Sequence, residues 1–236
     1  MKKIISLFIC ALLSVASYAQ YKVGDIYNSN GVIGFVVVVD DSGNHGLVLS
    51  LEDSKADWTV DESLNLVTSA FYEDDGAKNM EAIGTYIQEN GLTWHHFPVF
   101  AWARSLGDGW YIPAKDELEK IWTNLNGGDL KLDKKSKKIW KSHNKAIKRA
   151  GGEDFYTRNA STMLNHMLMG MISSTESDEG KIWAIRPDGR KVIMDALPSP
   201  NGTIALKEIE KNNKSVTNNV LLEVTYSFSS RAVHKF

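Results

Sequence analysis

A single thiol sets the terms on which this chain can fold. Of 236 residues only Cys10 is a cysteine, and it lies in a segment with the three parts of a secretory leader. These are Lys2 and Lys3, an apolar run from Ile4 to Val15, and the small-residue site Ser17-Tyr18-Ala19. The run is about half as long as a bilayer-spanning helix, so residues 1–19 read as a signal peptide cleaved after Ala19 rather than a retained anchor. Residues 20–236 then face an oxidising compartment, periplasmic, cell-surface or secreted, without one cysteine to cross-link. Their stability has to come from buried apolar surface. A composition of 43% hydrophobic and 10% aromatic residues supports such a core. No later stretch is apolar enough to serve as a transmembrane anchor.

Periodicity along the chain predicts one α+β domain over residues 20–236. Strands are expected at Val23–Tyr27, Val32–Asp40 and Gly46–Leu51, the last two joined by the turn Asp40-Asp41-Ser42-Gly43-Asn44. Met80, Ile83 and Ile87 recur at helical spacing before Asn90-Gly91, a helix stop. Phe97–Leu106 reads as a short helix turning Phe100, Trp102 and Ala103 inward. Leu118, Ile121, Trp122 and Leu125 form the stripe of the next helix, with Asp116 and Glu117 at its positive end. The Met-rich stretch 163–171 is expected to be a core-packing helix. Further strands follow at Ile182–Arg186, Lys191–Met194, Val220–Phe228 and Ala232–Phe236, with a polar loop over 195–219. Strands from both ends are expected in one mixed or antiparallel sheet flanked by several helices.

Charge is segregated along the chain. Residues 20–236 hold 25 basic and 29 acidic side chains, a net charge of −4, yet the segment 129–150 alone is +7. At 100° per residue Leu132, Ile139, Trp140, His143, Ile147 and Ala150 fall on one side of a helix and every basic residue on the other. This reads as a basic amphipathic helix inserted in an acidic domain. The overall balance predicts no nucleic-acid partner. One account of Lys134, Lys137, Lys138, Lys141, Lys145 and Lys148 is simple solvation. The other is attraction of an anionic surface: sulfated or uronic-acid glycan, or lipid headgroups. Trp140 is either buried or a stacking face for such a ligand.

Several landmarks fall in a familiar order: Leu106-Gly-Asp-Gly-Trp-Tyr-Ile-Pro113, then Asp116-Glu-Leu118, then Ser173-Ser-Thr-Glu176, then Trp183 with Asp188-Gly189, and Arg231-Ala-Val-His-Lys-Phe236. The series resembles a bacterial family of unknown function marked by GWRLPT..EL, YWSSTE, AW…G and VRAV. That family includes C-terminal domains of collagen-like adhesins and exported Bacteroides-type proteins. It is similar in fold to C-type lectins and to formylglycine-generating enzymes. The resemblance implies a C-type-lectin-like fold over about residues 22–236 and a binding or adhesion role, with most landmark residues serving as scaffold. Ala114 stands where the family has a capping Ser or Thr, and Met171-Ile172 where it has Tyr-Trp. The lectin motifs Glu-Pro-Asn and Trp-Asn-Asp are absent, the nearest approach being Ser199-Pro200-Asn201, which lacks the carboxylate calcium needs. The cysteines of a formylglycine-generating enzyme are absent too.

No nucleophile motif, phosphate-binding glycine loop or zinc-protease His pair appears. Trp94-His95-His96 lacks a third ligand at metal-site spacing, and the pairs Asp40-Asp41 and Asp74-Asp75 read as acidic turns before they read as glycosidase carboxylates. No catalytic residue, metal site or cofactor is expected. The expectation is a non-enzymatic binding module for a glycan or anionic surface ligand, with Lys134, Lys138, Lys141, Lys145, Trp140 and Asn201 as ligand-binding candidates. The alternatives are an assembly component with an envelope protein partner, or a hydrolase.

Overall fold

Strand β2 (Val32–Val39) is the spine of the molecule in the computed structural model, which describes residues 20–60, 67–130, 134–157, 167–168, 170–178, 180–186, 189–196 and 228–236. Its run of β-branched residues favours extended backbone. Phe35, Val36, Val37 and Val38 are all buried, so both faces of the strand are covered. It pairs antiparallel with β1 (Ile26–Ser29) and β3 (Gly46–Leu49), with a bulge between Val36 and Val38. Gly34 is required at this crossing, because a β-carbon there would come within 2.7 Å of the Val48 side chain. The connection at 40–44 is the predicted turn, tied by the Asp40 carboxylate accepting from the Ser42 hydroxyl at 2.7 Å.

Four helices follow: α1 (Gly76–Glu89), α2 (Pro98–Ser105), α3 (Lys115–Leu125) and α4 (Lys134–Arg149). The expected stripes face inward: Met80, Ile83 and Ile87 on α1, Phe100 and Ala103 on α2, Leu118, Ile121, Trp122 and Leu125 on α3. Trp102 is only half-buried. Asp74-Asp75 proves to be a helix start, Asp75 capping α1 by accepting from the Lys78 amide at 3.2 Å. The chain then forms the short pair β4 (Tyr156–Thr157) and β5 (Met167–Leu168), followed by β6 (Gly170–Asp178), β7 (Lys181–Ile185) and β8 (Lys191–Asp195).

Two strands close the described chain, β9 (Phe228–Ser229) and β10 (Val233–Lys235). The first sheet runs β1-β2-β3-β10, wholly antiparallel, with Val233 opposite Leu49. Strands from the two ends therefore share a sheet, as the sequence predicts. The second runs β8-β7-β6-β9 and is antiparallel except for the short parallel pair β6–β9. The architecture is α+β. One expectation is overturned: residues 167–168 and 170–171 of the Met-rich stretch are strand, not helix, because β6 is held along β7 with Met171 opposite Ile185. The expected leader 1–19, Leu132, the expected loop beyond Ala196 with Asn201, and most of the expected strand 220–228 lie outside the described residues.

Several of the landmark residues are held by contacts within the fold. Gly107 and Gly109 take φ of +122° and +83°, and a β-carbon on Gly109 would press to 2.6 Å from the His234 ring. Ser173 donates to the Trp183 carbonyl at 3.0 Å, Thr175 donates to the Tyr72 carbonyl at 2.9 Å, and Trp58 donates to the Ser173 carbonyl at 3.1 Å. Glu176 is buried and its carboxylate accepts from the Thr68 amide at 3.0 Å. The bonds of Thr175, Trp58 and Glu176 lock β6 to the segment preceding α1, and that of Ser173 ties it to β7.

Candidate functional site

Helix α4 carries the charge that the sequence singles out, and its geometry separates two faces completely. Trp140, His143 and Ile147 are buried as predicted, joined by Ser136 and Asn144. Trp140 is 1% exposed, packs against Trp122 and Phe155 with ring centres 5.4 and 5.2 Å away, and donates its indole N–H to the Asn126 side chain. As a ligand-stacking candidate it is therefore corrected: an indole enclosed on this scale has no face to offer, and it serves instead as the peg that docks α4. The His143 ring meets Phe35 edge-on at 5.2 Å, and burial holds it below its ordinary pKa.

Lys134, Lys138, Lys141 and Lys145 are all exposed. Eleven residues at 1.5 Å each put them along about 16 Å of helix, on one side. The structure thus brings four of the six candidates together. Asn201 lies outside the described residues.

Beyond α4 the chain doubles back. Gly151 takes φ +84°, the Gly152 amide donates to the Ile147 carbonyl at 2.9 Å, and the Phe155 amide donates to Asn144 Oδ1 at 2.9 Å. Gly152 leaves no room for a side chain, since a β-carbon would sit 2.8 Å from the Leu51 carbonyl oxygen. Between the last turns of α4 and this returning segment lies a pocket of about 480 Å³ lined by Lys141, Asn144, Lys145, Lys148, Arg149 and Asp154. Lys148 is ion-paired with Asp154 Oδ2. Asn144 Nδ2 and Asp154 Oδ1 are buried with no hydrogen-bond partner among the described residues. The wall behind is pinned by Arg231, 2% exposed, which donates to the carbonyls of Ser50 and Leu51 at 2.9 and 2.8 Å and to that of Glu153 at 2.9 Å, its guanidinium over the Phe155 ring. Beside it, burial and then a hydrogen bond to Glu153 push Asp53 up to about 6, while that same bond lowers Glu153.

Asn144 and Asp154 were not among the sequence candidates. The available signal was a lone amide on the apolar side of α4, one turn after Trp140. Nothing local marked Asp154, which is brought to the helix only by the Gly151-Gly152 reversal.

Other groups with chemical promise are occupied. Glu117 is raised chiefly by burial, and its oxygens accept from the Ala114 and Gly76 amides at 2.9 and 3.0 Å and from the Tyr111 hydroxyl at 2.8 Å. His96 Nδ1 is held within the turn at Thr93. A second, 200 Å³ pocket is bordered by Arg104, Asp108, Trp110 and Tyr111, but the two aromatics are 9% and 4% exposed and present no open ring. Among the described residues no group of three His, Cys, Asp or Glu is placed to hold a metal ion, and no helix is long and apolar enough to cross a membrane.

Neither a protein-family model nor a curated protein matches this sequence.

Proposed function

We propose that the chain is an exported, non-enzymatic binding module of C-type-lectin-like architecture whose ligand is an acidic polysaccharide, engaged along α4. The observation that carries this reading is the row Lys134, Lys138, Lys141 and Lys145, fully outward on a helix whose other side is locked into the core of a net-acidic protein. Such a row creates a local positive field without any need for the rest of the surface to be basic. The sharing of one sheet by β3 and β10, and the service of the Gly-Trp and Ser-Ser-Thr-Glu landmarks as scaffold, support the architectural part.

A lipid surface fits less well. Amphipathic helices that lie on membranes bury their apolar side in the headgroup boundary, whereas the apolar side of α4 is spent on Trp122, Phe35 and Phe155. The remaining contact is electrostatic, and an extended polyanion can follow a row about 16 Å long.

A glycan array that includes sulfated and uronic-acid polysaccharides, probed at about 0.05 M and about 0.5 M salt, tests the reading. Binding confined to acidic glycans, weakened by the higher salt and lost in the double variant Lys134→Glu/Lys138→Glu, is the expected result. Silence across the array at low salt would overturn it.

A further inference from the structure

A row of lysines attracts any polyanion, but the pocket at the end of α4 is built for something narrower. Its rim carries four cations, Lys141, Lys145, Lys148 and Arg149, and also a carboxylate, Asp154. A site evolved for a bare inorganic anion gains nothing from a carboxylate beside it, since like charges at close range repel. Lys148 neutralises one oxygen of Asp154. Among the described residues the other, Oδ1, is a buried acceptor without a partner, and Asn144 Nδ2 is a buried donor without one, on a residue only 7% exposed. Native interiors rarely leave such atoms unsatisfied, because each forfeits its hydration for nothing. A hydroxyl group both donates and accepts, so a polyhydroxylated ligand can satisfy acceptor and donor together where an anion can satisfy only the donor. The volume of about 480 Å³ is generous for an inorganic ion and falls within the range of small-molecule sites.

Resting on the polysaccharide reading above, we propose that this pocket is a subsite for one acidic sugar unit, its sulfate or carboxylate held by Lys141, Lys145 and Arg149 and its neighbouring hydroxyls by Asp154 and Asn144. The row further along α4 then gathers the polymer through charge, and the pocket selects which sugar is seated.

The two contributions separate by the sign of one substitution. Calorimetric titration of the intact protein with a sulfated uronic-acid disaccharide, sodium sulfate, a sulfated uronic-acid polysaccharide and the hydroxyl-free polymer poly(vinyl sulfonate) should show the disaccharide bound at least about tenfold more tightly than sulfate. Asp154→Asn removes a negative charge, so it strengthens poly(vinyl sulfonate) binding, but it weakens the disaccharide about tenfold by replacing a charged acceptor. Lys145→Ala, on an exposed side chain, weakens both and serves as the second variant should Asp154→Asn perturb the fold. If Asp154→Asn strengthens the disaccharide as well, or if the polysaccharide binds and the disaccharide does not, the sugar subsite is refuted while the charged face stands. If neither polymer binds, the wider reading falls with it.

Discussion

Asp53 and His143 show how individual side chains tie stability to acidity, and they pull in opposite directions. Asp53 rises to about 6 from an ordinary value of 3.8, first because it is partly buried. An acid raised on folding contributes stability below its unfolded value, and that contribution disappears as pH climbs through about 6. Asp53→Asn keeps a donor for Glu153 and never has to ionise. The variant should therefore be more stable than the parent at about pH 8 by on the order of 1 kcal/mol, a figure discounted for a side chain only partly buried, and the gap should close by about pH 4. Thermal melts at the two pH values check this, and an equal gap at both would refute it. His143 is depressed by burial, its Nε2 enclosed without a partner among the described residues. A base depressed on folding contributes stability above its unfolded value near 6.5, lost as pH falls below it. His143→Phe fills the same slot beside Phe35 without a proton to gain. Between about pH 7 and pH 5 its melting temperature should fall less than that of the parent.

Among the elements, α3 explains how the fold tolerates an alanine where a cap is expected. Ala114 has no side-chain acceptor, yet the first amides of the helix are not left bare. Lys115 donates to Thr175 Oγ1 at 2.9 Å, and Asp116 donates to the Glu73 carbonyl at 2.7 Å. The cap has been moved from the helix's own sequence to β6 and to the segment before α1. Restoring a side-chain cap with Ala114→Ser should consequently gain no more than about 0.5 kcal/mol. Thr175→Val, which strands the Lys115 amide and leaves the Tyr72 carbonyl with only its bond from Asn79, should cost about 1–3 kcal/mol. Denaturant titration of the two variants distinguishes a borrowed cap from a missing one. Elements whose periodicity is local were legible in the sequence: β1 to β3, α1 to α4, β7 and β8 fall where the patterns place them, give or take a few residues. The Met-rich stretch was not. Met163, Met167 and Met171 recur at helical spacing, whereas pairing of β6 with β7 is a tertiary fact that methionine, indifferent to backbone conformation, does not announce. Gly170 was the available warning. Of the candidate site, the outward lysines followed from the 100° periodicity, while the pocket needed the reversal at Gly151 to carry Asp154 back to Asn144.

For the molecule as a whole, the decisive bond is between distant parts of the chain. Val233 is fully buried, exchanges backbone hydrogen bonds with Tyr111 at 3.0 and 2.8 Å, and lies opposite Leu49 in the sheet. Val233→Asp puts an unpaired charge at this seam and should destabilise the entire domain by about 3 kcal/mol or more, seen as a single shifted transition in chemical denaturation. A transition that splits in two would mean that the sheets hold together independently. Arg231 adds to the seam, reaching Ser50 across a separation of 181 residues. Such long closures are entropically slow to make. Until β10 has emerged from the ribosome, this polypeptide lacks the strand that pairs with β3, so its first sheet cannot be completed while the residues before it are being made.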